Sequence, residues 1–213
     1  MNIKPALEQL IDGIMWPAMG SNEQNFVTRK LKLSLDHENY IVLGDINLPS
    51  NGNTTVTQID QIVVSIYGIF CIETKSTHGW VFGSLRGTRW TQRLGLKNYH
   101  MDNPFFQNYC HVKAIELALK DFDLKKPIES MIALPEAGNI LVNDTDNVGD
   151  AHQIIDKIKS HSAVLYTHEE CDNMKQQLNF ANITNPSVLK NHKNEISALR
   201  RVSAQKVAQL MHF

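Results

Sequence analysis

Three charged side chains stand at the ends of two apolar runs. Asp60 leads into Gln61-Ile62-Val63-Val64-Ser65, and Glu73 and Lys75 close the run Gly68-Ile69-Phe70-Cys71-Ile72-Glu73-Thr74-Lys75. A charge is costly to bury unless it is paired or bound to a metal, so charges at the rim of an apolar element call for a reason. Two carboxylates and a lysine in one place suit phosphoryl chemistry. The carboxylates are hard oxygen ligands for Mg²⁺, a bound metal polarises a phosphate and acidifies a water, and an ammonium positions that water or stabilises developing negative charge. The bland alternative is a surface salt bridge at a strand end, and spacing alone does not separate the two.

Whether the three side chains meet depends on the element that carries them. Two Ile/Val/Phe-rich runs around Tyr67-Gly68 predict a β-hairpin buried on both faces. Side chains alternate along a strand, so Glu73 and Lys75 share a face. A two-residue Tyr67-Gly68 turn sets Ile66 opposite Ile69 and Asp60 opposite Lys75. A four-residue loop over Ser65 to Gly68 instead sets Asp60 opposite Glu73. Both registers bring the three charges to one face at the open end of the hairpin, whereas a slip of one residue separates Asp60 from the others.

Neighbouring segments supply further candidates. Ser21-Asn22-Glu23-Gln24 fits a capping box opening a helix to about Asp36, with Val27, Leu31 and Leu35 as its buried stripe and Glu23 in line with them. Tyr40 to Leu48 reads as the first strand, with Asp45 and Asn47 on an exposed edge. Gly79 to Gly83 and Thr88 to Gln92 read as strands. Trp80 and Trp90 could stack on unpaired bases, but packing on a sheet is the favoured reading for both. Asn103-Pro104 starts a helix to Leu119 or Lys120, with Gln107, Cys110, Ala114 and Leu117 expected on its core side. Beyond it, strands are expected over Pro127–Leu134, Asn139–Val142 and Ala163–Tyr166, with a polar loop over Asn143–Asp150. Helices are expected over Ile3–Met19, over Ala151–Ser160, from Thr167 to about Ala181, and from Asn185 onward. Asp144 and Asp146 are read as solvated loop acids, because two acids without a complete ligand set rarely hold a metal.

Asp60 followed by Glu73-Thr74-Lys75 is similar to the PD-(D/E)XK nuclease signature. With Gln58 to Val64, Gly68 to Lys75, Gly79-Trp80 and Asn103-Pro104-Phe105-Phe106-Gln107-Asn108, the chain resembles the nuclease-related domain (NERD) family over roughly Gly20 to Leu119. The resemblance implies an α/β, restriction-endonuclease-like sandwich with a mixed central β-sheet flanked by helices. It implies Mg²⁺, or Mn²⁺ as a substitute, on Asp60 and Glu73, with Lys75 positioning or activating the water. Glu23 and Gln107 would complete the site, although Asn22 stands where the family usually has glycine. His111, one turn beyond Gln107, is read as a supporting residue. The implied activity is phosphodiester hydrolysis, with DNA the leading substrate and RNA the other. The rival is a nucleic-acid-binding module that keeps the fold and cleaves nothing, disfavoured because every core site residue is present.

Composition sets the outer bounds. A chain of 213 residues holds one domain with a sizeable core or a domain with appendages. The expected division is an N-terminal helical extension over 1–19, the nuclease-like core over 20–120 and an α/β extension over 121–213. Net charge is −1, so bulk charge does not announce a polyanionic partner. Its distribution is uneven: Ser76 to Met101 holds Arg86, Arg89, Arg93 and Lys97 and no acid, and the three arginines are the candidates for phosphate contacts. Cys71, Cys110 and Cys171 are odd in number and widely spaced, which fits a reducing cytoplasm and neither a disulfide framework nor a cysteine zinc site. No window is long and apolar enough to span a bilayer, and the N-terminus lacks the apolar core of a signal peptide.

Overall fold

A computed structural model describes residues 20–50 and 55–185, with side chains described for 24–50 and 56–185. The expected helices over 3–19 and beyond Asn185, and the side chain of Glu23, lie outside the described residues.

Two mixed sheets and four helices make up the described fold, an α/β arrangement consistent with a restriction-endonuclease-like architecture. The first sheet runs β1 (Tyr40–Ser50), β2 (Thr55–Ser65), β3 (Gly68–Thr74), β7 (Glu129–Ala133) and β9 (Val148–Gly149), antiparallel across its first three strands and parallel thereafter. The second runs β6 (Lys97–Asp102), β5 (Arg89–Leu94), β4 (Gly79–Ser84) and β8 (Ala137–Asn143), with β8 parallel to β4. The helices are α1 (Gly20–Ser34), α2 (Pro104–Ala118), α3 (Ala151–Lys159) and α4 (His168–Ala181).

Central strand β3 shows why the hairpin is apolar throughout. All seven of its residues are buried. Ile69 and Cys71 pack with Val112, Ile115 and Leu119 from the α2 segment and with Met174 and Leu178 of α4. Phe70 and Ile72, pointing the other way, meet Val27 and Leu31 of α1 and Ile154, Ile155 and Ile158 of α3. A strand covered on both faces cannot alternate polar with apolar residues. The expected α1 stripe is the observed one, with Val27, Leu31 and Leu35 all buried. The second sheet buries Val81 and Trp90 against Phe105 of α2 and Ile132 and Leu134 of the β7 segment. Gly83 permits this, because a Cβ there would lie 2.5 Å from the Trp90 ring.

The hairpin register follows the second of the two expected pairings. Ser65 pairs with Gly68 and Gln61 with Ile72, so Ile66 and Tyr67, not Tyr67 and Gly68, make the turn. The Ser65 hydroxyl donates to the Gly68 carbonyl at 3.0 Å and accepts from the Tyr67 N–H at 3.2 Å, which fixes the turn one residue earlier.

Other expectations need correction. Lys97–Asp102 forms β6, a strand no apolar alternation announces; it is an edge strand whose residues are almost all exposed. The segment expected as a strand at Ala163–Tyr166 forms no ladder: the Leu165 and Tyr166 N–H groups both donate to the single carbonyl of Ile66. The loop expected over Asn143–Asp150 contains the short β9. The core-facing stripe of α2 is Phe105, Asn108, His111, Val112 and Ile115, while Gln107, Cys110 and Leu117 are exposed.

Candidate active site

The open end of the β2–β3 hairpin gathers Asp60, Glu73 and Lys75. Continuing the observed register beyond Gln61 and Ile72 sets Asp60 opposite Glu73. At this point β1 changes course. Asp45 takes a φ of 56° and the β1–β2 ladder skips it, and Ile59 and Ile62 then bury in one core cluster although strict alternation would part them. Asp60 sits at this irregularity, 5% exposed. The Thr74 N–H donates to its Oδ2 at 2.8 Å, and the Gln24 side-chain amide donates to its Oδ1. Gln24 therefore serves Asp60 rather than closing the expected capping box.

Gln61, next in the chain, locks the same junction from the other side. Its amide donates to the Gln24 carbonyl at 3.1 Å and to the Thr28 hydroxyl at 3.3 Å, and its carbonyl accepts from the Thr74 hydroxyl at 2.9 Å. One buried glutamine so ties β2 to α1 and β3. The signal was legible as a polar side chain inside an otherwise apolar strand, which must be satisfied by hydrogen bonds.

Glu73 is 2% exposed. Its Oε1 lies 2.6 Å from Nζ of Lys75, two residues on and on the same face. Lys75 also donates to Oε1 of Gln107 at 2.7 Å. Gln107 is thus on the solvent side of α2 yet reaches the site, because it sits near the helix start beside the strand end. On the inner side, Oε2 of Glu73 lies 3.3 Å from Nδ1 of buried His111, but the two are misaligned and neither atom makes a hydrogen bond. Burial, helped by the Lys75 charge, pushes the His111 pKa down to about 4, so the ring is neutral and the contact is not an ion pair.

The electrostatics of the pair are unfavourable by construction. Burial first, and then the neighbouring Glu73 charge, raises the Asp60 pKa to about 8, against the lowering effects of the Thr74 N–H and Lys75. Burial also raises Glu73, with Lys75 pulling the other way. Two carboxylates held close and out of water resist ionising together. Among the described residues no group of three or more His, Cys, Asp or Glu is assembled to hold a metal. The donor set is therefore two carboxylates, one with a buried oxygen left without a hydrogen bond. That suits Mg²⁺, which takes one or two carboxylates and keeps water or phosphate as its other ligands, and does not suit a closed zinc-type cage.

The Asn103–Asn108 motif builds the platform behind the site. The Asn103 side chain caps α2 by accepting from the Phe105 N–H at 3.0 Å, and its amide donates to the carbonyls of Ser84, Leu85 and Gly87, clamping the β4–β5 turn. Asn108 is fully buried, and its amide donates to the Cys71 carbonyl at 3.0 Å, the Ser130 hydroxyl at 2.8 Å and the Met131 carbonyl at 3.1 Å. Asn108 thus pins α2 across β3 and β7, which sets the height of Gln107 and His111 over Glu73.

The remaining candidates stand apart, except that Asp45 lies close enough for its charge to help raise the Asp60 pKa. Arg86, Arg89 and Arg93 are exposed on the second sheet and its β4–β5 turn, with Arg89 Nε 3.9 Å from Asp102. Asp45 accepts from the Gln58 amide at 2.6 Å and faces solvent, as its edge reading implied. Trp90 is buried, as expected, but Trp80 is 48% exposed and does not pack inward. A cavity of about 450 Å³ near Phe105, Pro127 and Asn147 is lined by none of the expected site residues.

Asp60 in β2 and the Glu73–Lys75 pair at the end of β3 belong to interior strands of a helix-covered mixed sheet, an arrangement consistent with a restriction-endonuclease-like α/β fold. The chain belongs to the NERD family: the model of that family, described as a nuclease-related domain, matches residues 20–135. It is also 33% identical over 177 residues to an uncharacterized protein of Bacillus anthracis, a match covering 81% of each chain. No solved structure matches. No helix among the described residues is long and apolar enough to cross a membrane.

Proposed function

We propose that the protein is a Mg²⁺-dependent nuclease that hydrolyses phosphodiester bonds in DNA, with Asp60 and Glu73 as the metal ligands. The observation that carries this reading is the pair of buried carboxylates whose charge the chain leaves poorly compensated, beside a lysine open to solvent. Such a pair is expensive unless a cation completes it. When bound, the ion supplies Lewis-acid polarisation of the phosphate and a more acidic water.

The chain's own residues supply the rest. Gln24 and the Thr74 N–H fix the two oxygens of Asp60, and Lys75 fixes one oxygen of Glu73. The Lys75 ammonium, 31% exposed, is held between Glu73 and Gln107 and so faces the entry side. From there it donates to a phosphate oxygen or to the attacking water and offsets the negative charge that builds at phosphorus. Neutral His111 closes the inner side without adding a competing positive charge. Glu23 is assigned to the same site by the family resemblance, as the acid on α1. Arg86, Arg89 and Arg93 take the backbone phosphates.

The test is cleavage of linear, nicked, single-stranded and supercoiled DNA with Mg²⁺ or Mn²⁺, and with EDTA as control. Cleavage should require the metal and be lost in Asp60→Ala and in Lys75→Ala. Unchanged activity in both variants overturns the assignment, and metal-independent binding without cleavage by the wild type would leave a binding module instead.

A further inference from the structure

Among the described residues, only one face of the second sheet is covered. Val81, Trp90 and Gln92 point inward and are buried. The opposite face carries Trp80 and Phe82 on β4, Arg89 and Arg93 on β5, His100 on β6 and Leu141 on β8. The registers confirm the common face: Trp80 pairs with Arg93, and Phe82 pairs with Thr91 on one side and Leu141 on the other. His100 reaches the same face, with Nδ1 3.1 Å from the Thr91 hydroxyl. Trp80 and Leu141 are each 48% exposed, and the Trp80 and Phe82 rings lie nearly parallel, 6.0 Å apart at 21°.

We propose that this open face is a stacking platform for the unpaired bases of single-stranded DNA. The proposal deepens the nuclease reading and rests on it for the nature of the polymer. An exposed Trp80 backed by the partly buried Phe82 and flanked by arginines offers what a single strand needs: a π face for the bases and cations for the phosphates. Asp102, near Arg89, is the acid on this face. The stretch from Ser76 to Met101 carries four basic residues and no acid, a charge balance complementary to a polyanion. The chain passes from the proposed catalytic site to this sheet in a short link, since β4 begins four residues after Lys75. Duplex DNA keeps its base faces stacked inside the helix and cannot use Trp80 and Phe82 in this way.

The experiment is fluorescence anisotropy of the full chain in EDTA, so that binding is read without cleavage. The probes are labelled oligothymidylate of about 15 nucleotides, the matching oligouridylate and a duplex of equal length. Trp80→Ala/Phe82→Ala should bind oligothymidylate about 10- to 100-fold more weakly while duplex binding changes less than about twofold. Trp80→Tyr, which keeps a stacking ring, should stay within about threefold of wild type. Because both rings lie on the open face, the thermal midpoint should move by less than about 2 °C. Wild-type affinity for oligothymidylate in the double variant, or an equal loss on duplex, overturns the platform. So does self-association of the wild type that the double variant abolishes without affecting DNA binding, since the face would then serve a second copy. Oligouridylate bound at least tenfold more tightly than oligothymidylate overturns DNA as the strand. The two readings fail separately: normal cleavage by Lys75→Ala sinks the catalytic assignment, whereas the platform fails only on the binding outcomes of Trp80→Ala/Phe82→Ala.

Discussion

Asp60→Asn offers a measurement of what the site costs the fold. In the folded chain Asp60 titrates at about 8 rather than 3.8. The folded state then holds a proton that the unfolded state has released, so stability falls as pH rises between those two values. His111 acts in the opposite sense: with its pKa lowered from 6.5 to about 4, it adds stability as pH rises, with only about 0.4 kcal/mol of that gain left above pH 6.5. The window from pH 6.5 to 8 is therefore dominated by the carboxylate side. Across it, one carboxyl with these two pKa values loses about 1.5 kcal/mol, or roughly 3–6 °C of unfolding midpoint for a domain of this size. Asparagine keeps an acceptor for the Thr74 N–H, and Gln24 can turn its amide to match the new side chain. The assay is urea unfolding of wild type and Asp60→Asn in EDTA at pH 6.5, 7.25 and 8. Wild type should lose about 1.5 kcal/mol over this window and the variant clearly less, its remaining slope being that of Glu73, whose pKa is also raised. Added Mg²⁺ should restore wild-type stability at pH 8 and do little for the variant. Parallel curves for the two proteins would refute the reasoning.

Gln107→Ala removes the second partner of Lys75 at an exposed position, so cleavage should fall about tenfold while stability stays within about 0.5 kcal/mol, read by kcat and by thermal unfolding. Asn108→Ala strands the carbonyls of Cys71 and Met131 in the core and should cost about 2–4 kcal/mol in denaturant unfolding. Gly83→Ala drives a methyl group to 2.5 Å from the Trp90 ring and should cost about 1–3 kcal/mol; a midpoint equal to wild type would mean that Trp90 repacks freely.

What the sequence made legible follows from how strongly each feature is determined. The hairpin and the α1 stripe were readable because burial on both faces of β3 forces unbroken apolar runs and a helix-spaced row to match. Asn103-Pro104 was readable because capping is local chemistry. Less legible were features set by partners distant in the chain. Gln24 fits a capping box by spacing, but Asp60 outbids the helix start for its amide. β6 has no apolar pattern because it is an exposed edge strand that pairs only with β5. Trp80 and Trp90 look alike in sequence, and only the one-sided cover of the second sheet sends one inward and leaves the other in solvent.

The hairpin turn shows why either of the two expected registers keeps the three charged side chains together. Tyr67-Gly68 looked like the turn because glycine accommodates unusual backbone, and Gly68 does take a φ of 146°. It does so as the first paired residue of β3, opposite Ser65. Moving the turn back by one residue shifts the pairing by two, and a shift of two preserves the face of every side chain. Asp60 thereby moves from a place opposite Lys75 to one beside Glu73, where the Glu73 charge is felt. The exchange sharpens the chemistry, because two neighbouring carboxylates repel where a carboxylate and an ammonium would have neutralised each other. Under the first register Asp60 would have been a satisfied salt bridge with an ordinary low pKa. The observed register instead ends at Gln61 and Ile72, which leaves Asp60 beside Glu73, whose charge helps burial to hold the Asp60 pKa near 8.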